Sequence, residues 1–116
     1  MELPILVVDD HPSTRALFAR FLALAGFAVQ EAADGLEALA AVARARPALV
    51  VSDIRMPGVD GAELARRLMA HDPPVPVVLT SSDHAADPRL PGVPFLPKPV
   101  DLDDLRAAVA RLLTAR

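Results

Sequence analysis

Short apolar runs alternate with amphipathic stretches along almost the whole chain. Uniformly apolar runs of this length are typical of strands buried on both faces of a parallel sheet. They are PILVV (4–8), ALVVS (48–52) and PVVL (76–79). A more polar run at 27–32 predicts a further strand near a sheet edge. A fifth strand of about three residues is expected around Phe95.

Helical periodicity fills most of the intervals between these runs. Pro12 opens the first helix, and Gly26 closes it. The second and third helices begin with the spacing of capping boxes, DGLE (34–37) and DGAE (60–63), and the last begins near Asp101. Strand and helix therefore alternate as in an α/β fold with right-handed crossovers. We expect the second helix to bury the stripe Leu36, Leu39, Ala40 and Ala43.

The segment SSDHAADPRLPG (81–92) breaks this alternation. A fourth helix is due there, but Pro88 and Pro91 interrupt it, and a proline in a helix interior costs about 3 kcal/mol. We predict that this helix is absent or reduced to a turn at 83–87. Pro94 and Pro97 confine the fifth strand to the sheet edge. Because the two prolines are an odd number of positions apart, their missing N–H groups cannot both face solvent. One of them must therefore lie at the strand end.

Composition excludes several functional classes. The 116 residues fit one domain, residues 1–116. The net charge is −3, with basic residues thinly spread, so no nucleic-acid partner is expected. The chain has no cysteine, and its apolar runs are too short to cross a bilayer, so we expect neither a thiolate metal site nor a membrane partner. The N-terminus lacks the features of a signal peptide, which predicts a cytoplasmic protein.

Polar residues gather where the predicted strands end. The ends are followed in turn by Asp9-Asp10, Asp53, Thr80 and Lys98. In a doubly wound sheet these ends share one ligand-binding crevice. Three carboxylates there repel one another unless a cation such as Mg²⁺ binds, and an ammonium and a hydroxyl suit phosphate oxygens. Asp53, single and central, is the natural nucleophile for an aspartyl phosphate, and the Asp9-Asp10 pair suits the metal.

Each of these residues also has an ordinary structural explanation. Asp9-Asp10 fits a strand-ending turn, Thr80 fits a residue that satisfies nearby backbone, and Lys98 fits a solvated loop. The three histidines share no ligand spacing, and we interpret His11 as a surface residue beside the site. Only the ordered combination at the strand ends favours chemistry over these explanations.

The chain resembles the receiver domain of bacterial response regulators along nearly its whole length. The motifs that carry the resemblance are VVDD (7–10), SDIRMPGVDG (52–61), LTS (79–81) and FLPKP (95–99). The resemblance implies a flavodoxin-like, doubly wound, five-stranded parallel sheet in the order 2-1-3-4-5, here with a degenerate fourth helix. It also implies a part in two-component phosphorelay signalling, with a histidine kinase or histidine phosphotransfer protein as partner.

The resemblance further implies the phosphoryl chemistry. Asp53 would accept the phosphoryl group from a phosphohistidine on the partner. Mg²⁺ (or Mn²⁺) would be held by Asp10, by Asp53 and by the backbone carbonyl of Arg55, with Asp9 acting largely through water. Arg55 and Ser82 match the positions that tune how long the phosphoryl group survives.

The same resemblance implies a conformational switch. Thr80 and Lys98 would bind the phosphoryl oxygens, and Phe95 would turn inward when Thr80 moves toward them. On sequence alone, Phe95 reads as a core residue. The Lys98–Pro99 peptide bond would be cis, which only an X–Pro bond makes inexpensive. The altered fourth helix changes the surface that commonly dimerises, so a homodimer would use a non-standard surface.

Two other functions compete with a phosphoacceptor. A receiver-like adaptor could dock to proteins without being phosphorylated, which the missing helix favours. An enzyme on this fold, a flavoprotein or an aspartate-based phosphatase, would need a phosphate-cradling loop or a D-x-D motif, and the chain has DDHPST and neither Trp nor Tyr. We therefore expect no enzyme beyond catalysis of its own phosphorylation and dephosphorylation. The domain would be a stand-alone regulator or part of a hybrid kinase.

Overall fold

Five parallel strands form the sheet predicted from the apolar runs, in a computed structural model that describes residues 3–115. The strands are β1 (Ile5–Val8), β2 (Val29–Ala32), β3 (Leu49–Asp53), β4 (Val77–Ser81) and β5 (Phe95–Pro97). Their spatial order is β2-β1-β3-β4-β5, which confirms the predicted order. The helices are α1 (Pro12–Leu24), α2 (Gly35–Arg44), α3 (Gly61–Met69) and α4 (Leu102–Thr114). Within residues 3–115, none of these helices has the length and apolar character needed to cross a membrane.

The three central strands are buried on both faces, as their unbroken apolar sequences require. One face of the sheet packs against α2 and α3, and the other packs against α1 and α4. The edge strand β2 keeps two exposed residues, in line with its more polar sequence. The core therefore lies in two layers, and the carboxyl ends of the strands meet along one edge of it.

The predicted capping residues begin α2 and α3. Asp34 accepts a hydrogen bond from the Glu37 N–H at 2.8 Å, and Asp60 accepts one from the Glu63 N–H at 2.9 Å. Each bond satisfies a backbone donor that has no partner within the helix. Local sequence thus fixes where both helices start.

The buried face of α2 shares only Leu39 with the expected stripe, so the expectation was wrong for the other three residues. Ala38 and Val42 are buried and Leu39 is half-buried, whereas Leu36 is 65% exposed. The two alanines of the predicted stripe are also exposed. Alanines lie on several sides of this helix, so its apolar pattern had no unique direction, and contacts with the sheet decide which face is buried.

A single 3₁₀ turn (His84–Ala86) stands where the fourth helix was expected, which confirms the prediction of a degenerate helix. The chain then runs without regular structure past Pro88 and Pro91 to the three-residue β5. Pro97 is the last residue of β5, and Pro94 lies just before it. Both prolines thus avoid the strand interior, as expected for residues that cannot donate to a ladder.

Gly61 brings the loop after β3 back against the end of that strand. Its N–H donates to the Ile54 carbonyl at 2.9 Å. A Cβ at this position would lie 2.7 Å from the Ile54 Cα and would overlap the carbonyl oxygen of Asp53. Because the neighbours are backbone atoms, they could not move aside without displacing Asp53 itself. The glycine therefore permits the close approach that holds the β3 terminus in place.

Candidate functional site

Three carboxylates converge at the carboxyl ends of β1 and β3. Asp9 directly follows β1, and Asp53 is the last residue of the neighbouring strand β3. Ligand atoms of Asp9, Asp10, His11 and Asp53 all lie within 4.8 Å of one another. Asp9 is 1% exposed and Asp53 is 4% exposed, whereas Asp10 and His11 face solvent. The cluster is therefore closed toward the protein and open on one side.

Lys98 reaches the same cluster from the end of β5. Its backbone N–H donates to the Ser81 carbonyl at 2.9 Å, which fixes the residue beside β4, and the Lys98–Pro99 peptide bond is cis. The ammonium nitrogen Nζ lies 2.9 Å from Asp9 Oδ2 and 3.6 Å from Asp53 Oδ2. One cation thus faces two buried carboxylates, which leaves the cluster with an excess of negative charge.

The Asp53 carboxyl is held in an environment that disfavours its charge. Burial raises its pKa above the ordinary value, Lys98 and the Ile54 N–H lower it, and the charges of Asp9 and Asp10 raise it again, with a net upward shift. Asp53 Oδ1 accepts a hydrogen bond from the Ile54 N–H at 3.0 Å. The remaining oxygen, Oδ2, is the one that faces Lys98. The carboxylate is thus oriented, and a further positive charge would stabilise it.

Thr80 stands beside Asp53 in the register of β3 and β4. Its side chain is fully buried, and its hydroxyl Oγ1 has no hydrogen-bond partner within the described part of the chain. A buried hydroxyl without a partner costs free energy, so native proteins rarely keep one. An orphaned hydroxyl next to the acidic cluster suits a site that completes its bonding with a ligand oxygen.

Phe95 is the one expected switch residue that lies apart from the acidic cluster. It pairs with Leu79 in the β4–β5 register and packs, half-buried, against the core layer on the α2 and α3 side. Leu90 and Val93, from the segment that replaces the fourth helix, pack against the same layer. The aromatic ring and the altered segment therefore pack against the same layer of the core.

Arg55 turns its side chain toward another loop. Its guanidinium donates to Asp83 Oδ2, and the Arg55 side chain is 68% exposed. This hydrogen bond is the main reason why the pKa of Asp83 is lowered. The sequence singled out Arg55 and the exposed Ser82 but not Asp83. The acidic residue three positions after Thr80 was the feature of the sequence that could have indicated a partner for Arg55.

Arg15 is a second residue that sequence reasoning missed. Its guanidinium donates to the Asp9 carbonyl oxygen at 2.8 Å and to Glu31 Oε1 at 3.2 Å. The side chain is only 19% exposed, which is unusual for an arginine. Arg15, which lies in α1, therefore connects the loop that contains Asp9 with β2. An arginine in the first turn after an Asp-Asp pair is the pattern that could have revealed it.

The donor set fits a hard divalent cation. Three carboxylates supply oxygen ligands, one side of the cluster is open to water, and Mg²⁺ is usually held by one or two carboxylates while it keeps several waters. The excess negative charge and the raised pKa of Asp53 both favour a cation there. Asp9, Asp10 and Asp53 are therefore suitable ligands, and His11 lies within reach at the rim.

The raised pKa of Asp53 predicts a pH-dependent cost to stability in the absence of Mg²⁺. When a folded-state pKa exceeds the unfolded one, the folded state binds more protons between the two values, so stability falls as pH rises through that window. Asp53→Asn should therefore raise the melting temperature at pH 7 in metal-free buffer. The difference should shrink as pH falls toward the ordinary carboxyl pKa. For a chain of this size, about 1 kcal/mol corresponds to about 4 °C.

Thermal unfolding of both proteins across this pH range, with a chelator present, measures the effect. Asp60→Asn is the matched control, because Asp60 caps α3 on the surface and asparagine is an equally good cap. A wild type more stable than Asp53→Asn at neutral pH would contradict the expectation.

Comparisons with known proteins agree on one family. The family model for the response regulator receiver domain matches residues 5–110. The response regulator MprA of Mycobacterium sp. (strain KMS) is 36% identical over an alignment of 118 positions, which covers 97% of this chain and 51% of that protein. MprA of Mycobacterium leprae is 37% identical over an alignment of 114 positions, which covers 94% of this chain and 50% of that protein. The chain thus spans about half the length of these curated relatives.

Solved structures show the same similarity. The receiver domain of the hybrid histidine kinase CckA superposes with a TM-score of 0.82 at 36% identity, over 96% of this chain and 99% of that one. A putative response regulator from Chloroflexus aurantiacus gives a TM-score of 0.87 at 28% identity, with both chains fully covered. The chemotaxis regulator CheY4 of Vibrio cholerae gives 0.83 at 27% identity, over 97% of this chain and 99% of that one.

Proposed function

The chain belongs to the response regulator receiver family of two-component signalling, and from this premise we propose that it is a phosphoacceptor whose acceptor is Asp53. We assign the receiver domain to residues 1–116 as one unit. The observation that carries the proposal is the convergence on Asp53 of two further carboxylates within 4.8 Å and of the Lys98 ammonium at 3.6 Å. Asp53 is the buried, oriented carboxylate at the centre of that group.

The reaction is a transfer between two nucleophiles. An Asp53 carboxylate oxygen attacks the phosphorus of a phosphohistidine on the partner, a P–O bond forms, and the P–N bond breaks. The imidazole nitrogen leaves and takes up a proton. Later attack of water on the same phosphorus releases inorganic phosphate and restores the carboxylate. Both steps depend on position and charge neutralisation rather than on further covalent chemistry by the protein.

The residues around Asp53 have distinct parts in this reaction. Lys98 binds the phosphoryl oxygens, and its present contacts with Asp9 and Asp53 keep it at that place. The unpaired Thr80 hydroxyl binds another phosphoryl oxygen. Movement of Thr80 toward the phosphoryl group would leave room into which Phe95 turns.

Mg²⁺, or Mn²⁺ in its place, is the cofactor. Asp10, Asp53 and the backbone carbonyl of Arg55 would hold it, with Asp9 acting through water. When bound, the cation supplies positive charge that offsets the charge of the transferring phosphoryl group. Three clustered carboxylates, two of them buried, support this assignment.

Partner and setting follow from the same function. The donor is a histidine kinase or a histidine phosphotransfer protein in the cytoplasm, and the domain acts alone or within a hybrid kinase. It catalyses only its own phosphorylation and dephosphorylation. A non-standard surface around the 3₁₀ turn carries the output, because the helix that commonly contributes to this face is absent among residues 3–115.

The test is intact-mass measurement after incubation with acetyl phosphate. With Mg²⁺ present, the protein should gain the mass of one phosphoryl group, and peptide mapping should place it on the segment that contains Asp53. With a chelator in excess, the gain should fall by at least about tenfold, since the cation supplies several kcal/mol of charge stabilisation. No gain in the presence of Mg²⁺ would sink the proposal and leave the adaptor function standing.

A further inference from the structure

The Arg55–Asp83 ion pair joins the two loops that leave the acidic cluster. Arg55 lies two residues after Asp53 in the loop that follows β3. Asp83 lies three residues after Thr80, where the chain leaves β4. The two loops start side by side, because the Ile54 N–H donates to the Thr80 carbonyl at 2.9 Å. The pair therefore closes a short bridge next to the phosphoacceptor.

Asp83 is also the residue that anchors the 3₁₀ turn. Its Oδ1 accepts a hydrogen bond from the Ala85 N–H at 3.0 Å, and its own N–H donates to Ser81 Oγ at 3.0 Å. Its Oδ2 accepts the hydrogen bond from the Arg55 guanidinium. The side chain thus connects the turn to the phosphoacceptor loop. The turn spans three residues and has no fully buried residue. Besides Asp83, it is held by the Ala86 N–H, which donates to the Asp83 carbonyl at 3.0 Å, and by the partial packing of Ala86 against the core.

A phosphoryl group on Asp53 would compete with Asp83 for Arg55. It carries about −1.5 to −2 charges near pH 7, against −1 for a carboxylate, and offers three acceptor oxygens. Guanidinium groups bind phosphate in a bidentate way, and the long Arg55 side chain is largely exposed and free to reorient. An exposed ion pair such as Arg55–Asp83 contributes little to stability, so it is given up at small cost.

We propose that Arg55 is a cation shared between Asp83 and the phosphoryl group, so that phosphorylation of Asp53 withdraws it from Asp83 and loosens the 3₁₀ turn. The inference rests on the proposed function of Asp53. After the exchange, Asp83 has lost its positive partner and faces a new negative group nearby, and both changes move it away from the site. The surface that replaces the missing helix thereby reports phosphorylation.

This route is separate from the one through Thr80 and Phe95. Replacement of the Arg55 side chain leaves the Thr80 hydroxyl, the aromatic ring and the backbone carbonyl of residue 55 unchanged. Any response of the turn that travels through Thr80 should therefore survive Arg55→Gln. A response that travels through the shared cation should not.

Hydrogen–deuterium exchange at short labelling times tests the proposal on the whole chain. Wild type, Arg55→Gln and Asp83→Asn are labelled with and without acetyl phosphate and Mg²⁺, and intact mass gives the phosphorylated fraction of each sample. In wild type, exchange of residues 83–87 should rise about two- to fivefold on phosphorylation, the scale of one exposed ion pair. In both variants the segment should exchange faster before the donor is added and should rise no further.

Arg67→Gln is the matched control, because Arg67 makes an equally exposed ion pair with Glu63 on α3. It should respond as wild type does. Arg55→Lys keeps the positive charge but lacks the planar guanidinium group, so it should show part of the wild-type response. It also tests the proposal if Arg55→Gln does not fold. Full response in Arg55→Gln, or phosphorylated wild type with unchanged exchange, overturns this inference alone. A wild type that gains no phosphoryl mass overturns the proposed function as well.

Discussion

Asp53→Asn is expected to abolish the gain of a phosphoryl group while the protein stays folded. Asparagine has the same shape, so it fills the buried position at the end of β3 without a cavity. Its amide is a far weaker nucleophile than a carboxylate. Asp9 also contacts Lys98, but Asp53 is the carboxylate that pairs with Thr80 in the strand register. Phosphorylation should fall below detection, a loss of at least about 10³-fold.

The measurement is intact mass over time with acetyl phosphate and Mg²⁺, together with a melting curve to verify folding. Asp60→Asn again serves as the control and should be phosphorylated like wild type. Asp10→Asn should be phosphorylated slowly, because it removes a proposed metal ligand but leaves the acceptor. An Asp53→Asn protein that still gains one phosphoryl group would mean that another carboxylate of the cluster is the acceptor.

Lys98→Met should slow phosphorylation but tighten Mg²⁺ binding, whereas a variant with a damaged site would lose both activities. Lys98 is the only lysine of the chain, and its ammonium lies against Asp9 and Asp53. Without it, the transferring phosphoryl group lacks a preorganised cation, and the phosphorylation rate should fall by about 10²–10³-fold. Cation binding should become tighter instead, because the competing positive charge has been removed from three carboxylates.

Two assays measure the phosphorylation rate and the Mg²⁺ affinity separately. The initial rate of mass gain reports phosphorylation, and titration calorimetry with Mg²⁺ reports cation affinity in the absence of a donor. Lys98→Arg keeps the charge and should bind Mg²⁺ as wild type does, with an intermediate rate. Weaker Mg²⁺ binding in Lys98→Met would show that the lysine supports the site only by holding its structure.

The strand ends were predictable because burial leaves a strong signal. β1, β3 and β4 are buried on both faces, so the polar residue at each end marks the edge of the sheet. Parallel strands place those ends together, which is why Asp9, Asp53 and Thr80 could be expected at one place before any coordinates. Pro88 and Pro91 exclude a helix by covalent geometry alone, and the 3₁₀ turn follows.

Other features depend on choices that local sequence does not specify. The contact of Lys98 with Asp9 joins residues 89 positions apart, and small shifts decide which carboxylate the ammonium prefers. Arg55 has a long, exposed side chain, and the sequence cannot decide between Asp83 and a ligand as its partner. The buried face of α2 was missed because alanine is small enough to lie on either side of a helix.

The short fifth strand has a consequence for behaviour in solution. An uncovered sheet edge usually offers a row of N–H and C=O groups to which a second molecule can add a strand, the first step toward aggregation. Here the prolines at 94, 97 and 99 carry no N–H, and the Lys98 N–H already donates to Ser81. The other backbone N–H groups between residues 94 and 99 belong to Phe95 and Leu96, which already pair with β4. This edge therefore offers few donors to an added strand, and we expect the chain to associate through it less readily than a chain with an ordinary edge strand.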